Sequence, residues 1–191
     1  MIAFTRLTSI LLFVLSLGFL VSALPTAVDS KALAARHASH DLVTAIAELQ
    51  AKVDADVKAI LAVEAAVDLA VKVEVMVADI TACANAVLAI GANIDIDASV
   101  KADIAVKVAA IITVIINACV SIVAKFGILV VVTLLAKIDL CLQLLLVNLS
   151  VCIDGILVLI ANIVVKLGLS VLASVHLGLC INVLGLIGIS L

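Results

Sequence analysis

The first half of the chain repeats apolar residues with a helical period. From Asp41 onward a large aliphatic side chain recurs every three or four residues, and the charged side chains fall mainly on other faces. This pattern predicts one long amphipathic helix from Asp41 to about Ile90, with Ser39 as its N-cap. Its apolar positions are Leu42, Ile46, Leu49, Val53, Val57, Ile60, Val63, Val67 and Val71. We expect the first four of these to pack against the second half of the chain.

A polar hinge over residues 91–98 follows this helix. Gly91 suits the end of a helix, and either Asp97 or Ser99 is placed to cap the next one. Asn93, Asp95 and Asp97 alternate like the first ligands of a calcium loop. That loop also needs a glycine and a glutamate, and the chain has Ala98 and Ile104 at those positions, so we expect no metal site.

The second half is apolar on nearly every side. Residues 104–191 carry six charged side chains: Lys107, Lys125, Lys137, Asp139, Asp154 and Lys166. This stretch predicts several apolar helices with breaks near 125–127, 137–139, 154–155 and 166–168. Its polar residues recur at intervals of four, as in Asn117, Ser121 and Lys125, which predicts a narrow polar stripe on one helical face. Residues 174–182 also alternate like a strand, but turn signals are too sparse for a set of strands.

The fold class predicted is therefore all-α, a long amphipathic helix followed by a cluster of highly apolar helices. One helix cannot cover the second half, and burying each large aliphatic side chain is worth roughly 1.5–3 kcal/mol. We therefore expect self-association or contact with a hydrophobic surface. The alternative is a small integral membrane protein with two to four transmembrane helices, although only 167–191 clearly exceeds a span of ~20 residues without a charge.

The N-terminus has the pattern of a secretory signal peptide. Arg6 precedes an apolar run over 10–21, and Val21, Ser22 and Ala23 supply small residues for cleavage. The predicted organisation is a signal peptide at 1–23, a flexible N-terminal arm at 24–40, a polar amphipathic helical half with its hinge at 41–98, and a hydrophobic helical half at 99–191. The mature protein is then secreted.

Secretion changes the interpretation of the cysteines and of one asparagine. An oxidising compartment makes five cysteines candidates for disulfides, with connectivity open and at least one thiol left over within a monomer. They are Cys83, Cys119, Cys141, Cys152 and Cys180. The sequence Asn148-Leu149-Ser150 is a glycosylation sequon, so Asn148 is a candidate site that would be silent inside a buried or membrane helix.

Composition excludes several classes of function. The hydrophobic fraction is 67% and the aromatic fraction 2%, which is unusual for a soluble domain with a ligand pocket. A net charge of -3 and the lack of a basic patch argue against nucleic acid. The sequence contains no Gly-x-Ser-x-Gly elbow and no phosphate-binding loop. We therefore expect no catalytic residues, no cofactor and no enzymatic activity.

The leader at Met1–Ala23, the polar half at Asp41–Ile90 and the apolar half at Ile104–Leu191 together resemble a small secreted hyphal-wall protein of mushroom-forming fungi that accompanies hydrophobins. The chain is not itself similar to a hydrophobin, whose pattern needs eight cysteines including adjacent pairs. The resemblance covers the full length and rests on this architecture. It implies an extracellular location in the cell wall and a role in aerial hyphae formation and in attachment to hydrophobic surfaces. It identifies no functional residues.

Overall fold

A computed structural model describes residues 27–167 and 177–185, and these residues form six α-helices, one 3-10 turn and no strand. The elements are α1 (Ala27–Leu61), α2 (Ala66–Ile90), α3 (Ala98–Phe126), α4 (Ile128–Cys152), α5 (Ile156–Val164), the 3-10 turn (Val165–Leu167) and α6 (Gly178–Val183). The all-α prediction is confirmed. The alternative strand over 174–182 is wrong for its described part, since Gly178 onward is helical. The predicted signal peptide lies outside the described residues.

The predicted single helix from Asp41 to Ile90 is in fact two helices, α1 and α2, separated by residues 62–65. The predicted apolar series is buried from Leu42 in α1 to Val63 in the break, but Val67 and Val71 are 78% and 57% exposed. The buried face of α2 is instead Leu69, Val73, Met76, Ile80, Cys83, Ala84 and Val87. Positions 67 and 69 lie about 200° apart on a continuous helix, so one helix cannot bury both series. The break allows each segment to bury its own face.

The helix start is also earlier than the pattern indicated. α1 begins at Ala27, so Ser39 lies inside the helix rather than at its N-cap, and the part of the predicted arm at residues 27–40 is helical. Alanine is the strongest helix former, and the alanines between Ala27 and Ala38 extend the helix beyond its amphipathic part.

Residues 37–191 make up one compact unit, whose described helices share a single hydrophobic core. α2 packs mainly against α4, and α3 packs against α5 and α4. The face of α1 that contains Leu42, Ile46, Leu49 and Val53 is buried in this core. The side-chain contacts of α1 in this region, Cys83 with the carbonyl of Ala45 and Lys52 with Asp79, are made with α2, so packing of this face against the second half stays a prediction. α6 packs against α4.

Two of the predicted breaks occur in the hydrophobic half. Gly127 separates α3 from α4, and Ile153, Asp154 and Gly155 separate α4 from α5. The predicted break at 137–139 is wrong, because α4 continues through it. Lys137 is exposed and pairs with Glu74, while Asp139 is buried with its oxygens hydrogen-bonded, so neither charge interrupts the helix. The predicted break at 166–168 begins as the 3-10 turn, and Gly168 lies outside the described residues.

The hinge after Gly91 caps the C-terminal end of α4. The main-chain N–H of Asn93 donates to the carbonyl of Val151 over 3.0 Å, and that of Ile94 donates to Cys152 over 2.9 Å. These carbonyls belong to the last turn of α4, where no intrahelical donor is available. The segment whose sequence is similar to the start of a calcium loop therefore stabilises the end of α4 through its backbone N–H groups. Asp97 stands at the N-cap position of α3 without a side-chain capping bond.

Candidate apolar interface

Asp139 is the buried carboxylate at the middle of α4, and it holds α6 in place. One carboxylate oxygen accepts the N–H of Leu179 at 2.8 Å and the other accepts the N–H of Cys180 at 2.9 Å. Both N–H groups belong to the start of α6, where donors lack helical partners. The side chain is 4% exposed, so this pairing satisfies a carboxylate that burial would otherwise make costly. Its role is structural.

Asn148 is also structural, which corrects the candidate glycosylation site. Its side chain is buried, and its Nδ2 donates to the carbonyl of Ala84 in α2 over 2.8 Å. An oligosaccharide needs an exposed asparagine nitrogen, and here that nitrogen lies in the contact between α2 and α4. The sequon is therefore silent in this fold.

All five cysteines are buried free thiols, so the candidate disulfides of Cys83, Cys119, Cys141, Cys152 and Cys180 are not present in the structure. Each one occupies the apolar face of its helix, where a thiol packs as a small hydrophobe. Burial raises the pKa of Cys83 to about 11 and those of Cys119 and Cys141 to about 12. Burial also raises the pKa of Cys152 and of Cys180. The nucleophilic thiolate is therefore suppressed at all five.

Two lysines also stabilise helix ends. Lys125 Nζ donates to the carbonyl of Val63 over 2.5 Å, at the break between α1 and α2. Lys101 Nζ donates to the carbonyl of Asp154, at the turn between α4 and α5. Among the described residues no group of His, Cys, Asp and Glu is placed to hold a metal ion. Asp139, Asn148, Lys101 and Lys125 therefore stabilise the fold.

A row of exposed side chains along α4 has no structural role of the kind described above. We call this row the α4 stripe. It consists of Leu129, Thr133, Ala136, Leu140, Leu144, Val147 and Val151. Leu129 is 90% exposed and Leu140 is 60% exposed, although both are large and apolar. Exposed apolar patches of this kind usually mark an interaction surface.

A groove of about 480 Å³ runs beside the stripe, between α4 and α2. Val77 and Thr81 line it from α2, and Leu140, Leu144 and Val147 line it from α4. Lys137 lines it too, but its ammonium is paired with Glu74 over 2.8 Å, which holds the pKa of Glu74 below its ordinary value. Because the remaining wall is largely aliphatic, the groove extends the apolar surface of the stripe.

Another helix face shows the opposite character. On α3 the spaced polar residues Asn117, Ser121 and Lys125 are all exposed, so they form the outward stripe that their spacing predicts.

Within the described residues, three helices are long and apolar enough to cross a membrane by length and composition: Ala66–Ile90, Ala98–Phe126 and Ile128–Cys152.

No protein-family model matches this chain, and no curated protein matches it either.

The α4 stripe cannot be recognised from the sequence pattern, because α4 is apolar on both its buried and its exposed face. The usual contrast between an apolar and a polar face, which would separate the two, is absent.

Proposed function

We propose that the protein is a secreted structural and adhesive component of a cell wall, which acts at hydrophobic interfaces by self-association. The observation that carries this proposal is the α4 stripe. An interface gains free energy in proportion to the apolar area that it removes from water, and each large side chain transferred contributes roughly 1.5–3 kcal/mol. The resemblance to hyphal-wall proteins supports a role in aerial hyphae formation and in hyphal attachment.

The asymmetry of the surface also supports an interface. Asn117, Ser121 and Lys125 face outward on α3, whereas Leu140 and its neighbours face outward on α4. A protein at a boundary needs one surface for water and another for the nonpolar phase. The outer faces of α3 and α4 differ in this way, although α3 also exposes Val106 and Val120.

The second candidate function is that of an integral membrane protein, which the three long apolar helices favour. In a bilayer, however, outward-facing polar groups would meet hydrocarbon. The exposed Glu74 of α2 and its partner Lys137 of α4 lie nearer the middle of their helices and would be unfavourable there, since a charge near mid-bilayer costs roughly 2.5–3.5 kcal/mol. These charges favour contact with a nonpolar phase over immersion in it.

Adsorption to a nonpolar solid tests the proposal. Leu140→Asp places a charge in the stripe at an exposed position, and we expect it to reduce the amount of protein retained after rinsing and the change in water contact angle. Val106→Asp is the matched control, because Val106 is 57% exposed on α3, outside the stripe. Equal retention of both variants and the parent would contradict the proposal.

Extraction separates the two candidates. An adhesive wall protein is released from cells or medium without detergent, and an integral membrane protein follows the detergent-soluble fraction. Recovery only with detergent would favour the membrane alternative.

A further inference from the structure

The spacing of the residues in the α4 stripe is symmetric about its central residue. Its successive members are separated by 4, 3, 4, 4, 3 and 4 residues, and Leu140 is the central one. Spacings of three and four are those at which one helix presents a continuous seam to another. From Leu129 to Val151 the seam is ~33 Å long at the helical rise of 1.5 Å per residue.

We propose that two copies of the protein pair through this seam, with their α4 helices antiparallel and a two-fold axis at Leu140. The proposal rests on the self-association in the proposed function and identifies its surface. In a two-fold pair each residue faces the one equally far beyond the axis on the other copy. The mirror-like spacing therefore brings every member of the stripe opposite another member.

Side-chain sizes agree with this register. Leu144 faces Ala136 of the second copy, so a large side chain meets a small one. Val147 faces Thr133, and Leu129 faces Val151. Leu140 faces itself at the axis, and the Leu144–Ala136 pairs on either side of it leave room for close packing there.

Charge separates the antiparallel register from the parallel one. Lys137 is the exposed charged side chain of α4 and lies beside the seam. The antiparallel register places it opposite Gln143 of the second copy, whereas a parallel in-register pair places it opposite another lysine. Like charges that face each other weaken helix pairing. The second copy also covers the groove, because Leu140, Leu144 and Val147 belong to both.

Site-specific disulfide formation tests the axis. Leu140→Cys puts two new thiols across it, and Val151→Cys puts them at opposite ends of the seam, ~33 Å apart along the helix axes. Val106→Cys adds an exposed thiol on α3 as the matched control. The five native thiols are buried, so the parent supplies the background level. Each purified protein is oxidised with copper phenanthroline and its covalent dimer is measured on a non-reducing gel.

We expect a covalent dimer from Leu140→Cys and only the parent's background from Val151→Cys and Val106→Cys. The double variant Leu129→Cys/Val151→Cys should also crosslink, because those positions face each other between copies. Crosslinking of Val151→Cys alone as readily as Leu140→Cys would overturn the antiparallel register. A lack of crosslinking by Leu140→Cys would overturn the seam.

Adsorption of the same reduced samples to a nonpolar solid distinguishes the two proposals. Normal adsorption without the Leu140→Cys crosslink overturns the seam and leaves the proposed function standing. If the parent protein does not adsorb to the solid, the proposed function is overturned.

Discussion

At the scale of single residues, the few polar side chains of the hydrophobic half mostly satisfy backbone groups. Asp139 accepts from the start of α6, Lys125 donates at the break after α1, and Asn148 joins α4 to α2. A buried backbone group without a partner costs about as much as a lost hydrogen bond, so these side chains stabilise helix ends and contacts that an all-aliphatic sequence would leave unpaired.

The first prediction concerns Asp139. Asp139→Ala leaves the N–H groups of Leu179 and Cys180 without their partner and should lower the free energy of unfolding by roughly 1–3 kcal/mol for each group left unpaired. Asp139→Asn retains one accepting oxygen and should cost less. Denaturant unfolding measures both, with the exposed Asp154→Asn as control. Equal stability of the parent and Asp139→Ala would show that the contact does not anchor α6.

A second prediction is a pH dependence at Asp56 of α1. Burial raises its carboxyl pKa, with a further contribution from Asp79, and its Oδ2 has no hydrogen-bond partner. A raised pKa means that the fold prefers the protonated form, so this stabilisation is present at low pH and is lost as the pH rises through the folded pKa. Asp56→Asn should therefore raise Tm at neutral pH and leave it unchanged below the unfolded pKa of ~3.9.

Asp54→Asn is the matched control for Asp56, since it makes the same change of charge two residues away. The measurement is Tm at pH 7 and in acid for the parent and both variants. An equal rise for the two variants at pH 7 would indicate a general charge effect rather than the burial of Asp56.

At the scale of elements, a single glycine connects α3 to α4. Gly127 has φ 81° and ψ 147°, a conformation that side chains with a Cβ rarely adopt. It allows α3 to end and α4 to begin with one residue between them. α4 can thus continue without a longer loop.

The third prediction is that Gly127→Ala destabilises the protein by about 1–3 kcal/mol through backbone strain. A Cβ at this position would meet no atom within 4 Å, so the loss would come from the backbone and not from a clash. Gly178→Ala is the control, because Gly178 is also unobstructed but begins a helix without positive φ. Its stability should stay within about 1 kcal/mol of the parent. Similar losses from both changes would argue against strain at Gly127.

The same elements show what the sequence can predict. The breaks at Gly127 and Gly155 were predictable because a glycine marks each of them. The break over 62–65 contains neither glycine nor proline, and its only trace is the change of buried face from Val63 to Leu69. Lys137 and Asp139 suggested a break that does not exist, since their partners come from α2 and α6 and are distant in sequence.

The α4 stripe was hidden for a different physical reason. Periodicity identifies a face by contrast, and in α4 the buried Leu142 and Leu145 and the exposed Leu140 and Leu144 are the same residue type. Only the packing of the chain determines which of them face outward. The candidate interface is therefore a property of the tertiary structure.

At the scale of the whole molecule, the stripe can contact either a second copy or a nonpolar surface, but not both at once. Pairing in solution would shield Leu129, Leu140 and their neighbours from water and oppose uncontrolled aggregation. A nonpolar surface offers the same side chains a larger apolar area. In solution the stripe would then serve self-association, and at a nonpolar surface the pair would have to open before the same residues could adhere.

The last prediction follows from this competition. Dimers of Leu140→Cys that have been locked by oxidation cannot expose the stripe, so they should adsorb to a nonpolar solid less than the same protein after reduction. Reduction with dithiothreitol should restore retention to the parent's level, whereas oxidised and reduced Val106→Cys should behave alike. If locked dimers adsorb as well as reduced protein, the surface contact lies outside α4. The exposed valines of α2, Val67 and Val71, would then be the next residues to replace.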